Sequence, residues 1–332
     1  MEVKLKDRNQ KPIYRKAFPV SNKDRQFLKS QLDQLEDLQV LEKVMISEWA
    51  FPTFMVPKKD GTARFVSDFR QLNDILKDFQ NDLPRIQEVY RRRSGFDWVS
   101  SLDLTSQFYH FQLGKLAREL CVINTPYGLY RYLRLPMGLK ISPGYAQAIL
   151  SHLFSHLSFV EVFLDDIAIF TKGSFSDHLK HIRTVLRILN KNDFSIKPKK
   201  CSWVCEEIVY LGSIISKEGV RPDPRKVAPI LRIERPRTPT QLRAFIGMVN
   251  YYRDHMPHRA HVLAPLTAQS KNKKYITWSD DCQKAFEEAK VLLVKGCLLS
   301  FPDLVHAYVI EQDASEFQLG STVLQCSMKK YE

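Results

Sequence analysis

The sequence lacks the features that mark several other classes of protein. No apolar run approaches the roughly 20 residues that a membrane-spanning helix needs, so we expect no membrane partner. The six cysteines are scattered along 332 residues, which disfavours a disulfide scaffold and favours a reducing compartment. Neither the cysteines nor the nine histidines form a set of ligands at zinc-site spacing.

Basic residues are in excess. Lysine and arginine total 50 against 37 acidic residues, a formal net charge of +13. A balance of this sign suits a polyanionic partner such as nucleic acid, although an unspecialised basic protein would show it too. With 44% hydrophobic residues the chain is long enough for a large core, and its length favours two or three domains.

Two adjacent acids interrupt an apolar stretch near the middle of the chain. Residues 159–164 lead into Asp165 and Asp166, and the apolar run 167–170 follows them. This pattern predicts a β-hairpin whose two-residue turn is Asp165-Asp166. Carboxylates at the tip of a buried hairpin are costly without a compensating cation, which favours a divalent metal ion. A solvated turn is the simpler interpretation of these two residues alone.

A third acid supports the metal interpretation. Residues 98–103 alternate as in a β-strand, and the strand ends at Asp103. Three carboxylates at the ends of adjacent strands could hold two metal ions about 3.5 to 4 Å apart, an arrangement that supports displacement at phosphorus. Magnesium prefers such hard oxygen ligands.

Other patterns predict the surrounding elements. An Asp-Gly turn at 60–61 predicts a hairpin that presents Lys58, Lys59 and Arg64, either to bind phosphate or as a solvated loop. Residues 84–92 are predicted to be helical, and the basic, proline-rich segment 221–239 to be a linker. Three further helices, the first capped by Ser21, are predicted from apolar residues at helical spacing: Leu28, Leu32, Leu35 and Leu38; Leu179, Ile182, Leu186 and Leu189; and Leu242, Phe245, Ile246 and Val249.

Six segments then carry a family resemblance. They are VPKKDGTARFVSDFRQLN (56–73), SLDLTS (101–106), TPYGLY (125–130), LPMGLKISP (135–143), FLDD (163–166) and YLG (210–212). In this order and spacing they resemble the reverse transcriptases of gypsy-type LTR retrotransposons (Metaviridae), relatives of the retroviral enzymes. The likeness is collinear over essentially the whole chain.

The resemblance implies an α+β right-hand polymerase with fingers, palm and thumb, and with a partial ribonuclease H-like segment at the C-terminus. The expected boundaries are fingers 1–78 and 111–141, palm 79–110 and 142–218, thumb 219–275, and 276–332 for the connection and the truncated start of the ribonuclease H-like domain.

The resemblance also implies roles for individual residues. Asp103, Asp165 and Asp166 would be the catalytic carboxylates and would bind two Mg²⁺ ions, with Mn²⁺ as an alternative. Lys200 would lie near the leaving pyrophosphate, either as a general acid or as a charge contact. The other expected site residues are Lys58 and Arg64 on the triphosphate, Phe108 against a ribose 2′-hydroxyl, Met137 and Gly138 at the nucleotide, and Tyr210, Leu211 and Gly212 as the primer grip.

Some positions depart from the family pattern. Phe163 replaces a common tyrosine, Ala63 a tryptophan, Ser67 a valine and Gln107 a glycine. None of these changes removes a charge or a metal ligand. Asp313 matches the first of four ribonuclease H acids. Because the sequence stops at Glu332, we expect no ribonuclease H activity from it alone, and a fragment of a polyprotein or a truncated product is the expected origin.

The function expected from the resemblance is RNA-directed and DNA-directed DNA polymerisation from dNTPs. The expected partners are an RNA template, a DNA primer and the RNA-DNA hybrid, and the expected location is the cytoplasm or a virus-like particle. The sequence leaves the oligomeric state open. A non-catalytic nucleic-acid-binding remnant of a retroelement is the alternative, and a hybrid nuclease that depends on Asp313 is a weaker one.

Overall fold

The computed structural model of the chain describes residues 1–57, 63–79, 83–91, 95–256, 258–270, 275–296, 298–301, 308–314 and 319–325. The chain divides into two compact units. The first consists of Met1–Pro84, Leu102–Ile169 and Lys180–Cys201, and the second of Arg85–Ser101, Phe170–Leu179 and Ser202–Glu332. Within the described residues, no helix is both long and apolar enough to cross a membrane.

Helices and mainly antiparallel sheets make up the described chain, in agreement with the predicted α+β class. The α-helices are α1 Asn22–Asp37, α2 Arg70–Ile75, α3 Ile86–Arg91, α4 Lys115–Leu120, α5 Ser142–Phe154, α6 Phe175–Lys191, α7 Pro224–Leu231, α8 Pro239–Tyr251, α9 Arg259–Ser270 and α10 Asp280–Lys295. Short 3₁₀ helices cover Gln107–His110, Pro198–Lys200 and Arg253–His255.

The strands form four sheets. Their bounds are β1 Leu41–Val44, β2 Phe51–Pro57, β3 Ala63–Ser67, β4 Trp98–Asp103, β5 Val122–Thr125, β6 Gly128–Tyr132, β7 Val160–Phe163, β8 Asp166–Thr171, β9 Ser202–Cys205, β10 Glu207–Tyr210, β11 Ser213–Ser216, β12 Gly219–Pro222, β13 Tyr308–Ala314 and β14 Leu319–Gln325. The strand orders are β1-β6-β5-β2-β3, β7-β8-β4-β9, β10-β11-β12 and β13-β14.

Helix α1 packs its apolar face into the core of the first unit. Ser21 caps the helix as predicted, because its hydroxyl accepts a hydrogen bond from the Asp24 N–H. Leu28, Leu32 and Leu35 are buried in that core, as predicted. The prediction for Leu38 was wrong: this residue follows the last helical turn as the C-cap, and 60% of it is exposed.

Helix α6 confirms one predicted helix but not all of its buried face. Ile182 and Leu189 are buried, and Val185 lies between them at 0% exposure. Leu179 lies in the helix, as predicted, but it is 42% exposed, and its neighbour His178 is the buried residue. The two ring nitrogens of His178 lie 2.8 Å from the Ser100 hydroxyl and 2.6 Å from the Thr171 hydroxyl. A polar residue thus takes the interior position that the apolar pattern assigned to leucine.

The second unit contains its own helical core. Leu242, Phe245 and Val249 of α8 are buried in it, as predicted, together with residues of α7, α9 and α10. The predicted linker 221–239 was wrong in its first half, which contains the end of β12 and helix α7. Asp223 caps α7 through the Arg225 N–H, and Pro224 occupies the first helical turn, where a missing N–H costs nothing.

Candidate active site

Strand β4 brings Asp103 to the edge of its sheet. Leu102 is buried and Asp103, the last residue of the strand, is partly exposed. The N–H of the next residue, Leu104, donates a 3.1 Å hydrogen bond to the carbonyl of Asp165. The backbone after Asp103 is therefore in direct contact with the hairpin that contains the other two predicted carboxylates.

The β7–β8 hairpin differs from its prediction by one residue. Phe163 pairs with Asp166 across the hairpin, so the two-residue turn is Leu164-Asp165, and Asp166 is the first residue of β8. The pair Asp165-Asp166 predicted as the turn was therefore wrong. Leu164 has a φ of +53°. This left-handed conformation costs a non-glycine residue roughly 1 to 2 kcal/mol, and leucine has no polar side chain to offset the cost.

Two buried amide side chains hold this turn. The Leu164 N–H donates to Gln147 Oε1 at 2.7 Å, and Gln107 Nε2 donates to the Leu164 carbonyl at 2.9 Å. Gln147 Nε2 also donates to the Val162 carbonyl at 2.9 Å. Both polar groups of the Leu164 main chain are therefore satisfied by side chains. Sequence reasoning identified Gln107 only as a departure from a family pattern and did not find Gln147, which is one polar residue within an apolar helix.

The electrostatic environment of Asp166 includes the other two predicted carboxylates. The pKa of Asp166 is raised from the ordinary 3.8 to about 6. Burial is the largest cause, the negative charges of Asp165 and Asp103 raise the pKa further, and Lys200 lowers it. The Lys200 ammonium donates to Asp103 Oδ2 at 3.4 Å. Negative charge is thus concentrated at one edge of the sheet, with one ammonium beside it.

This arrangement fits a divalent cation that completes its coordination from outside the protein. The repulsion that raises the pKa of Asp166 would be relieved by a positive ion among the three carboxylates. Within the described part of the chain, no group of three acidic, histidine or cysteine side chains could hold an ion alone. Magnesium usually takes one or two protein carboxylates, with water and substrate phosphate as its other ligands, so an incomplete cage suits it.

The predicted triphosphate ligands are only partly described. Lys58 lies outside the described residues. Arg64 pairs with Val56 in the predicted β2–β3 hairpin, and its side chain is outside the description. Phe108 lies in the 3₁₀ helix that follows Asp103 and packs partly buried against the core of the first unit.

The segment with Met137 and Gly138 has a tightly defined backbone. Gly138 has a φ of +96°, and a Cβ on it would lie 3.2 Å from the Ser67 carbonyl oxygen, which is why glycine fits here. Asn73 Nδ2 donates to the Gly138 carbonyl at 2.8 Å. Met137 is 45% exposed beside this glycine.

Comparison with known proteins finds a family model that matches part of the chain. Residues 56–215 match the family model described as reverse transcriptase (RNA-dependent DNA polymerase). This segment contains the strand ends and the hairpin described above, together with the 3₁₀ helices Gln107–His110 and Pro198–Lys200. The chain is similar to retrotransposon reverse transcriptases.

The relatives are long polyproteins. The chain is 29% identical over 322 residues to the retrovirus-related Pol polyprotein from transposon 297 of Drosophila melanogaster, covering 95% of the chain and 30% of the polyprotein. It is 30% identical over 333 residues to that from transposon 412 of the same organism, covering 98% of the chain and 26% of the polyprotein. It is 28% identical over 328 residues to the transposon Tf2-7 polyprotein of Schizosaccharomyces pombe, covering 98% of the chain and 24% of the polyprotein. The chain therefore spans at most about a third of these relatives.

Solved reverse transcriptases share the fold. The foamy viral protease-reverse transcriptase in complex with dsDNA superposes with a TM-score of 0.86 at 23% identity, covering 95% of this chain and 66% of that one. The same protein in complex with an RNA/DNA hybrid gives a TM-score of 0.80 at 23% identity, covering 92% of this chain and 42% of that one. The predicted α+β polymerase fold is confirmed.

The expected primer grip forms a hairpin turn in the second unit. Tyr210 ends β10, and Leu211 and Gly212, with φ values of +49° and +91°, make the turn to β11. Both φ values suit the right-handed twist of a two-residue hairpin. The Tyr90 hydroxyl donates to the Tyr210 carbonyl at 3.0 Å, and burial raises the pKa of Tyr90 to about 12. A neutral phenol thus supports the turn at physiological pH.

Asp313, the expected first acid of a reverse transcriptase-linked ribonuclease H, lies in β13. Its backbone pairs with Gly320 of β14. Its side chain is outside the described residues, so the predicted catalytic role stays a prediction.

Proposed function

We propose that the chain catalyses RNA-directed and DNA-directed DNA synthesis, adding dNTPs to a primer 3′-hydroxyl by two-metal nucleotidyl transfer. The observation that supports this most is the hydrogen bond that joins the backbone after Asp103 to the hairpin of Asp165 and Asp166, together with the raised pKa of Asp166. The reverse transcriptase match over residues 56–215 supports the same reaction. A site that concentrates negative charge at one sheet edge suits cation binding.

Asp103, Asp165 and Asp166 would hold two Mg²⁺ ions, with Mn²⁺ as an alternative. When bound, the ions would lower the pKa of the primer hydroxyl and neutralise charge on the leaving pyrophosphate. The carboxylates orient the reacting groups, and a bound cation would offset the repulsion that the half-buried Asp166 receives from its neighbours.

Lys200 has two successive contacts in this proposal. Its ammonium lies at Asp103 before substrate binds, and the pair is exposed enough to separate at small cost. Once released, the ammonium can contact the leaving pyrophosphate or donate a proton to it. The exposed side chain, at 62%, is free to make this movement.

The remaining expected residues define the substrates. Lys58 and Arg64 would contact the triphosphate, and Phe108 would exclude a ribose 2′-hydroxyl next to Met137 and Gly138. The turn Tyr210-Leu211-Gly212 would support the primer end, and residues 219–275 would form the thumb. The partners we propose are an RNA template, a DNA primer and their hybrid, in the cytoplasm or in a virus-like particle. The foamy viral neighbours, solved with dsDNA and with RNA/DNA hybrid, support this class of partner.

Primer extension on an RNA template, with dNTPs and Mg²⁺, tests the proposal. The natural chain is compared with Asp165→Asn, which keeps the shape and removes the charge, and with Asp74→Asn, an exposed acid of α2 that serves as the matched control. We expect extension by the natural chain and by the control but not by Asp165→Asn. Folded natural chain that binds primer-template without extending it, in Mg²⁺ and in Mn²⁺, would establish the non-catalytic remnant instead.

A further inference from the structure

Leu164 is the residue immediately before the exposed Asp165, and side chains from two separate helices hold its main chain. Gln147, on α5, accepts from its N–H, and Gln107, in the 3₁₀ helix after Asp103, donates to its carbonyl. We propose that Gln107 and Gln147 act as an amide clamp on Leu164 and are positioning residues for the Asp165 carboxylate. This inference rests on the proposed function where it is tested by the kinetics of primer extension. A second test, the binding of Mn²⁺ to the free protein, does not require DNA synthesis.

The clamp holds a conformation that leucine does not prefer. At a φ of +53° the Leu164 side chain crowds its own backbone, and a free turn would relax toward negative φ. Such a rotation would redirect the peptide that leads into Asp165. The clamp opposes it from both ends of the residue, since the N–H and the carbonyl of Leu164 each lose a partner if the turn relaxes.

The orientation of both amides is determined by their partners. Gln147 Nε2 donates to the Val162 carbonyl, so Gln147 Oε1 is the atom that faces the Leu164 N–H. Gln107 faces a carbonyl, which only its Nε2 can satisfy. Both side chains are almost fully buried, at 2% for Gln147 and 4% for Gln107, so water does not readily replace them. Both amides are engaged by main-chain groups of the hairpin, which is why we assign a positioning role.

Gln107 also joins the two halves of the carboxylate site. It follows Asp103 by four residues, and its contact with Leu164 acts beside the backbone bond from the Leu104 N–H to the Asp165 carbonyl. The segment after Asp103 therefore holds the turn at two consecutive carbonyls.

The substitution Gln107→Met tests the clamp, because it keeps the side-chain length and removes the donor. The control is Gln112→Met, an exposed glutamine in the same unit. We expect kcat of primer extension to fall about tenfold with the KM for primer-template within about twofold. We also expect Mn²⁺ to bind the free protein several-fold more weakly, measured by the electron paramagnetic resonance of unbound Mn²⁺. The control should change neither quantity.

A second variant and a double mutant separate positioning from folding. Gln107→Gly, which restores the common family residue, should fold and show the same losses. In a double mutant that combines either Gln107 substitution with Gln147→Met, the fold-loss in kcat and in Mn²⁺ affinity should be clearly smaller than the product of the two single-mutant fold-losses. The reason is that both amides hold the same residue, Leu164. Unchanged Mn²⁺ affinity and kcat in the folded Gln107 variants, or a full product of losses in the double mutant, would overturn the clamp. If the natural chain does not extend primers, the proposed function fails, and Mn²⁺ binding still decides the clamp.

Discussion

Removing the charge of Asp166 should stabilise the metal-free protein while it abolishes catalysis. The pKa of this carboxyl is raised from 3.8 to about 6, so the folded chain binds a proton that the unfolded chain has already released. Between these two pH values the free energy of unfolding falls as pH rises, because the folded state holds more protons. Above pH 6, where Asp166 is ionised in the folded chain, the free energy of unfolding is reduced by the full amount that this charge costs. Asp166→Asn removes that cost.

The size of the effect follows from the shift. About two pKa units correspond to roughly 3 kcal/mol at 1.36 kcal/mol per unit. Asp166 is only half-buried, and solvent screening reduces the value to about 1 to 2 kcal/mol. In a unit of this size, each kcal/mol raises the melting temperature by roughly 2 to 4 °C. We therefore expect Asp166→Asn to melt roughly 2 to 8 °C higher than the natural chain at pH 8 in EDTA.

Thermal unfolding at several pH values provides the assay. The difference between Asp166→Asn and the natural chain should be near zero at pH 4, grow between pH 4 and 6 and stay constant up to pH 8. Mg²⁺ should raise the melting temperature of the natural chain more than that of the variant, because it binds the folded state of the natural chain more tightly. Asp74→Asn should show neither effect. A variant that melts lower at pH 8, or a difference that does not depend on pH, would refute the electrostatic reasoning.

Two further changes address the neighbouring residues. Lys200→Met should strengthen Mn²⁺ binding up to about fivefold, because the Lys200 ammonium competes for Asp103 in an exposed pair worth at most about 1 kcal/mol. The same substitution should lower kcat. Weaker Mn²⁺ binding would contradict this reasoning. Gly212→Ala should destabilise its hairpin by about 1 to 2 kcal/mol and weaken primer-template binding, because φ is +91° and the new Cβ would lie 2.8 Å from Lys226 Nζ. Chemical denaturation measures the loss of stability in Gly212→Ala. The control is Gly247→Ala in α8, where an added Cβ would have no atom within 4 Å, and this substitution should leave stability unchanged or raise it.

The apolar patterns predicted the elements better than their ends. Alternation located β4 and its terminal Asp103, and helical spacing located α1 and α6. The errors occurred where one residue at an element end decides burial: Leu38 is a C-cap and Leu179 lies next to the buried His178. The helix α7 was missed because its prolines suggested a linker, although Asp223-Pro224 is a typical helix start.

The carboxylates of the site were predictable, and their supports were not. Acids at the ends of apolar strands are visible in a sequence, because burying a carboxylate there is costly unless a cation or solvent meets it. The roles of Gln107 and Gln147 depend on a left-handed Leu164, and no residue pattern predicts that a leucine adopts this conformation. Pairing of Phe163 with Asp166 likewise fixes a register that two adjacent aspartates cannot specify.

The clamp also limits which substitutions are tolerated at position 164. The hydrogen bonds that Gln107 and Gln147 make with Leu164 involve its main chain, so they constrain the backbone conformation of residue 164 and not the identity of its side chain. Among descendants of this chain, position 164 should drift among unbranched residues and glycine, while valine, isoleucine and threonine should be rare, because branching at Cβ worsens the left-handed conformation. Positions 107 and 147 should change together. Aligned sequences of close variants of this chain would show whether positions 107, 147 and 164 follow this expectation.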